Sequence, residues 1–451
     1  MHQRTRDVEE LTEAIVAYAI DRLRMDPPTL DGPLSESALT TRAGQTITPE
    51  GLGGMKALKM FIDVLAPACI SVDHPRQLAF VPAAPTEAAT LFDLIVGASS
   101  ICGSSWLEGS GAVYAENQAL RWLADLASFP AEAGGVFVSG GTAGNLSALV
   151  AARHDARGRR PETATMRSLV ISSQGAHASI RQAVQVMDAD ILEVGEDRLL
   201  GSDVTSMLAN LDENDRRRLI AVAATAGTTN LGLIDDLSGI GEICQRENIW
   251  FHVDGAYGLA ALAAQSVREQ FSGIELADSF IVDPHKWLFA PFDCCALIYR
   301  NPAVARAAHR QHAGYLEALY DGIWNPSDYA HHLSRRARGL PLWFSLAAHG
   351  TEAYAEAVEK TLQTTKLAEQ LIESNKDLEL VIPSHLSIVV FRRIGWTNED
   401  YAEWSDKLLS DGVGFVTPTK YQGETVLRFC IVNPRTTEHD INSILQTLSE
   451  S

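Results

Sequence analysis

The sequence predicts an α/β protein: a mostly parallel central sheet, a helical N-terminal segment and a smaller α+β domain at the C-terminus. Three observations carry that expectation. Short, continuously apolar, β-rich runs alternate with helical stretches through the middle of the chain, as in parallel sheets covered on both faces. Nearly every such run ends in residues able to do chemistry, and ligands bind outside the carboxyl ends of strands in open α/β sheets. After about Leu342 the pattern changes to a long helix and then alternating segments such as 386–391.

Taken in order, Leu11, Ile15, Ala19 and Leu23 fall at helical spacing, so residues 8–25 read as an amphipathic helix that Pro27-Pro28 stops. A Gly/Pro/Ser/Thr-rich connector follows to about Gly54. The strand candidates are 136–138, 169–171, 220–223, 249–253 and 280–282. The expected partition is a helical arm over 1–75, a large α/β domain over 76–341 and a small α+β domain over 342–451.

Composition narrows the function. The 451 residues are 46% apolar and carry a net charge of −20, which suits a globular chain and disfavours nucleic acid or an anionic membrane as partner. The basic clusters Arg216-Arg217-Arg218 and Arg335-Arg336 with Arg338 are short and read as solvated faces. Six cysteines without CxxC pairing predict neither a disulfide framework nor a metal site, and point to a reducing compartment. The N-terminus shows no apolar stretch of signal-peptide length, and the most apolar region, 88–102, is interrupted by Asp93. The expectation is a soluble, cytoplasmic protein.

The chemistry lies at the strand ends. Ser139-Gly140-Gly141-Thr142-Ala143-Gly144-Asn145 follows the first run and leads into a helix; glycines let a phosphate approach the backbone, and a helix N-terminus offers free N–H groups. Alone, such a turn is as often only a turn. The second run leads to His177, which in isolation reads as an ordinary hydrogen-bonded loop residue, and the third to Thr228-Thr229. The fourth ends in Asp254, a carboxylate that burial would oblige to find a partner. The last ends in Asp283-Pro284-His285-Lys286-Trp287, where apolar neighbours would desolvate Lys286, lower its pKa and suit it to attack an aldehyde, unless it merely snorkels to the surface. A phosphate cradle, a flat stacking residue, a buried carboxylate and an activated lysine are together what pyridoxal 5'-phosphate requires.

The stretch 251–258, then 283–288 and Phe292-Asp293-Cys294, resembles the group II pyridoxal-phosphate decarboxylases, which include the aromatic-L-amino-acid, histidine and glutamate enzymes. The resemblance runs from His74-Pro75 to Leu427-Arg428-Phe429 and is strongest between 137 and 296. It implies an aspartate-aminotransferase-like fold (fold type I) and a homodimer with active sites at the subunit interface. Position by position, it implies that Lys286 carries the cofactor and Asp254 pairs with the pyridine nitrogen. Ala256 would lie under one ring face with His177 stacked on the other. Gly141 and Thr142 would bind the phosphate, Thr229 would sit by the phenolic oxygen, and His285 near phosphate and substrate. Asp283 departs from the aromatic enzymes, which have Asn there; a second carboxylate beside a phosphate would repel it, so Asp283 is expected to hydrogen-bond elsewhere.

Tyr315 lies 29 residues beyond Lys286, where the resemblance places a catalytic tyrosine on a loop that delivers a proton to Cα. It favours simple decarboxylation over oxidative aldehyde formation. Its competing reading is an aromatic on an amphipathic helix. Transamination is the chemical rival, with Arg428 as the residue that would grip a substrate carboxylate. Phe80, Pro82, Ser104 and Trp106 fall in segments that resemble the substrate pocket of aromatic decarboxylases, although Phe80 and Trp106 would serve equally in packing. Ser104 and Ala83 replace a phenylalanine and a threonine of the animal enzymes, and Glu108 would suit a basic side chain or an indole N–H. The expected product is an amine plus CO2 from an amino acid, aromatic first and 2,4-diaminobutyrate-like second.

Overall fold

The structure, a computed structural model, describes residues 2–194, 197–311 and 324–449. Seven strands build the central sheet: β1 (Gly134–Val138), β2 (Leu169–Ser173), β3 (Asp190–Val194), β4 (Leu219–Thr225), β5 (Trp250–Asp254), β6 (Ser279–Val282) and β7 (Cys295–Tyr299). Their order is β1-β7-β6-β5-β4-β2-β3, with β7 antiparallel to both neighbours and the remaining pairings parallel. The five strands expected from sequence are present; β3 and β7 are additional.

Successive residues of a strand face opposite sides of its sheet. Phe137, Ile171, Val222, Phe251 and Phe280 therefore join one core, while Val136, Val170, Ala221 and Ile281 join the other. Helices cover both faces, which is why these strands read as unbroken apolar runs rather than as alternating ones.

A second, antiparallel sheet follows in the order β10-β11-β9-β8, from β8 (Leu378–His385), β9 (Ile388–Arg393), β10 (Pro418–Tyr421) and β11 (Glu424–Cys430). Its core holds Ile372, Phe391, Trp404, Phe429 and Ile444, and also Leu78 from far upstream. Backbone bonds from Leu78 N to Phe415 O (2.9 Å) and from Cys430 N to Leu78 O (3.0 Å) fix that segment. Gly350, at φ +80°, divides the expected long helix into Leu340–His349 and Thr351–Ser374.

The N-terminal helix spans Arg6–Leu23 and buries none of its residues. Val8, Ile15, Val16 and Ile20 stand exposed along it. A further helix, Glu36–Ala43, forms inside the expected connector, with Ser35 Oγ accepting from Ala38 N.

One reading of the basic clusters is corrected. Arg335 is wholly buried and forms a bidentate pair with Glu116, Nη1–Oε2 2.8 Å and Nη2–Oε1 2.9 Å. Arg336 and Arg338 pair with Asp93 and Asp293. Three cations within four residues read as a solvated face because sequence cannot show the carboxylates that meet them from distant segments.

Candidate active site

At the carboxyl ends of β1, β4, β5 and β6 the structure encloses a cavity of about 260 Å³. Its wall contains Gly141, Thr142, His177, Thr229, Asp254, Ala256, His285 and Lys286, so eight of the residues expected from sequence converge there. A larger polar opening of about 940 Å³ shares His177 and Thr229 with it.

Each wall follows from local structure. The helix Gly141–Arg159 begins at the cavity, and its N-cap, Gly140, supplies no side-chain cap. The first N–H groups are therefore left for an anion. A Cβ at position 141 would lie 3.2 Å from Ile281 Cδ1, 3.3 Å from Ala256 Cβ and 3.4 Å from Asp283 Oδ2, so any side chain there would crowd this cradle. Gly227 turns the chain after β4 at φ +102°, where a Cβ would meet Gly258 Cα at 2.8 Å.

Asp254 ends β5 almost completely buried. Asn145 Nδ2 donates to its Oδ2 (2.8 Å) and the Ala256 N–H to its Oδ1 (3.1 Å). Both donors are neutral, and among the described residues no cation is hydrogen-bonded to the carboxylate; Lys286 acts on it only through its charge.

Lys286 Nζ lies 2.9 Å from Asp283 Oδ2. Burial opposes the ammonium, but the charge of Asp283, its hydrogen bond and the charge of Asp254 prevail and hold the lysine above its ordinary value. This corrects one expectation, since desolvation alone predicted a lowered amine. Asp283, expected to hydrogen-bond away from a phosphate, faces the cavity with Oδ2 on the lysine, and its Oδ1 is buried without a hydrogen-bond partner among the described residues.

His285 Nδ1 lies 2.7 Å from Cys294 O and 3.0 Å from Cys294 N, and burial pushes its pKa down. Its ring tilts over Phe292 at 4.7 Å. Tyr257 stacks on Trp287 at 5.3 Å, and its hydroxyl meets Ser387 Oγ, which ties the lysine turn to the smaller sheet.

The substrate-pocket candidates lie outside this cavity wall. Phe80 is 62% exposed, Pro82 and Ser104 are buried, and Trp106 is half-buried. Ser104 Oγ accepts from Arg335 N at 3.2 Å, and Trp106 N donates to Asn325 Oδ1 at 3.0 Å. Glu108 accepts from Ser105 Oγ at 2.8 Å within its own helix turn. Arg428 donates to the carbonyl of Phe80 and does not line the cavity. Tyr315 lies outside the described residues.

Sequence reasoning missed the polar residues behind the wall. Asn145, Ser179 and His252 are all buried and join Asp254 to His177 through hydrogen bonds. The available signals were an asparagine inside a helix, where its type is unfavourable, and a histidine in an otherwise apolar strand.

Pyridoxal phosphate fits this donor set. The uncapped helix start and open Gly141 suit its phosphate, the uncompensated Asp254 a protonated ring nitrogen, and Lys286 its aldehyde. Asp283 Oδ1 and Thr225 Oγ1, both on the wall and without hydrogen-bond partners among the described residues, make the cavity polar.

Comparison with known proteins points the same way. The pyridoxal-dependent decarboxylase conserved domain matches residues 56–394. An aromatic-L-amino-acid decarboxylase of Bacillus atrophaeus is 31% identical over 392 residues, covering 84% of this chain and 81% of that protein. An L-2,4-diaminobutyrate decarboxylase of Rhizobium meliloti is 29% identical over 392 residues, covering 84% and 78%. The fold matches that of Oryza sativa TDC, crystallised with PLP and tryptamine, at a TM-score of 0.91 and 24% identity over 100% of this chain and 99% of that one. The chain belongs to the pyridoxal-dependent decarboxylase family and is a pyridoxal-phosphate-dependent amino-acid decarboxylase.

Proposed function

We propose that this enzyme converts an aromatic L-amino acid to the corresponding amine and CO2. The observation that carries the reading is the commitment of the carboxylates: Asp254 accepts from Asn145 and Ala256, and Asp283 Oδ2 faces Lys286. Glu108 is held in its own helix turn. A substrate ammonium would find these oxygens engaged, whereas an aromatic side chain would find Phe292 on the wall. The 31% identical aromatic decarboxylase supports the same choice. A second reading, a substrate with a side-chain ammonium, is favoured by Asp283 Oδ1, which has no hydrogen-bond partner among the described residues, and by the diaminobutyrate decarboxylase relative.

The bound cofactor supplies an electron sink for the pair of electrons that CO2 leaves behind. Lys286 Nζ would hold its aldehyde, Asp254 would keep its ring nitrogen protonated, and the helix start at Gly141 and Thr142 would take the phosphate. Ala256 would lie under one ring face and His177 over the other, Thr229 would serve the phenolic oxygen, and His285, whose ring meets Phe292, would serve the phosphate and substrate side. Tyr315 delivers a proton to Cα, an assignment that rests on its spacing from Lys286.

Arg428 donates through Nη2 to the Phe80 carbonyl and stands off the cavity wall, which argues against its gripping a substrate carboxylate for transamination. Phe80, Pro82, Ser104 and Trp106 serve the substrate pocket across a homodimer in this reading. The exposed apolar residues of the N-terminal helix and of the segment at Met55, Phe61 and Leu65 support such pairing. A CO2-release screen over the proteinogenic amino acids, ornithine, 2,4-diaminobutyrate and 3,4-dihydroxyphenylalanine tests the substrate. Release confined to aromatic substrates supports the reading, and release from diaminobutyrate alone overturns it.

A further inference from the structure

Behind the cavity wall runs a chain of hydrogen bonds whose direction is fixed by the Asp254 carboxylate, which can only accept, and by the Ser179 N–H at the His177 end, which can only donate. Trp250 Nε1, which can only donate, donates to Ser279 Oγ at 2.9 Å. Ser279 Oγ lies 2.8 Å from His252 Nδ1, so its hydroxyl is free to donate there. His252 Nε2 lies 2.9 Å from Asn145 Oδ1, an acceptor, and must carry the proton. Asn145 then has one hydrogen for Asp254 Oδ2 (2.8 Å) and one for Ser179 Oγ (2.9 Å). At the far end the backbone N–H of Ser179 donates to His177 Nδ1 at 3.2 Å, and Ser179 Oγ lies 2.8 Å from the same nitrogen. Nδ1 of His177 is therefore an acceptor, and its Nε2–H is left for the cavity.

Every atom in this sequence agrees with one polarity. Were the Asn145 amide reversed, its carbonyl oxygen would face the Asp254 carboxylate and its NH2 would face the His252 N–H. Neither Asn145 nor His252 lines the cavity, and both are fully buried. His252 faces Ser279 and Asn145 directly, with Asp254 the charged group acting on it and burial favouring its neutral form.

We infer that Asn145 is a positioning residue, oriented by the Nε2–H tautomer of His252, that holds Asp254 for the cofactor ring and joins it through Ser179 to His177, whose Nδ1 the Ser179 N–H already fixes as an acceptor. The inference rests on the pyridoxal-phosphate assignment and on Asp254 and His177 as ring neighbours; it is independent of which amino acid is the substrate.

Two measurements on the full chain test it. In the first, cofactor-free wild type, His252→Gln, His252→Leu and Asn145→Leu are titrated with pyridoxal 5'-phosphate and followed by visible absorbance. Glutamine places an N–H where His252 Nε2 had one, and leucine removes it. Asn145→Leu loses the hydrogen bond to the Asp254 carboxylate, and His252→Leu leaves the buried Asn145 Oδ1 without its donor; each predicts a dissociation constant raised about five-fold or more, with His252→Gln within about two-fold of wild type. Equal affinities for His252→Gln and His252→Leu overturn the inference, because a residue that only fills space would not distinguish them. The second needs no variant to fold: 15N spectra of histidine-labelled, cofactor-free wild type should show His252 and His177 protonated on Nε2 and bare on Nδ1. An Nδ1–H signature at either residue contradicts the chain. A wild type that takes up no pyridoxal phosphate would refute the cofactor assignment itself, a different outcome from a loaded wild type whose variants match it.

Discussion

Lys286 Nζ and Asp283 Oδ2 lie 2.9 Å apart at the end of β6, both largely withdrawn from water. The lysine is held above 10.5 although burial pushes the other way. Attack on an aldehyde requires the neutral amine, so cofactor uptake by the empty protein should accelerate with rising pH. Asp283→Asn removes the leading group that raises the lysine and should move that profile toward lower pH by about one unit or more. Stopped-flow absorbance over a pH series reads the shift, and superimposable profiles would contradict it. The same linkage bears on stability: a raised folded-state value stabilises the cofactor-free fold below 10.5, and that contribution is lost as pH climbs through the folded value.

The buried pair of Glu116 and Arg335 predicts an asymmetric mutational response. Glu116 also accepts from Gly339 N at 2.8 Å, so the carboxylate pins two segments at once. Glu116→Gln would strand a guanidinium with no exposure and cost about 3–5 kcal/mol, whereas the double change Glu116→Leu with Arg335→Met should cost less than that single one. Urea denaturation of the three proteins decides; a single variant as stable as wild type would contradict the burial argument.

Four histidines weaken the fold toward acid, offset in part by Asp235 and Asp278, which burial pushes up to about 7 and about 6 and which stabilise it as pH falls through those values. Burial pushes His74, His252, His309 and His332 each down to about 4 from 6.5. A depressed folded value stabilises the fold above 6.5 and loses that contribution as pH falls through about 4. The urea midpoint of the cofactor-free protein should therefore drop between those values, with a shallower drop for His252→Gln. A midpoint that stays flat across the window would contradict the assignment.

The sequence made the sheet legible because strands buried on both faces are unbroken apolar runs: 169–171 and 249–253 need no knowledge of their neighbours. β7 was missed because Cys294 and Cys295 sit at its start, within what read as a motif. The half-exposed β3 lacks such a run. At the site, residues at strand ends were legible because topology alone carries Asp254 and Lys286 to one crevice. The lysine's charge state was not legible, since it depends on where Asp283 points. Nor was Asn145, whose three bonds reach residues 34 to 109 positions away.

Tyr315→Phe tests the proton step. Without the phenol, Cα remains unprotonated for longer and becomes open to dioxygen. The variant should yield aldehyde, ammonia and hydrogen peroxide alongside less amine, with oxygen consumed. Product analysis under air and under argon checks this; an unchanged amine yield with no oxygen uptake would remove Tyr315 from the role.

The most direct measurement of the central claim is the stoichiometry of the wild-type reaction. Loaded enzyme incubated with an aromatic L-amino acid should release CO2 and the matching amine one for one. Lys286→Ala should lose both the visible band of lysine-bound cofactor and at least about three orders of magnitude in rate. Formation of glutamate from 2-oxoglutarate without CO2 would contradict the account.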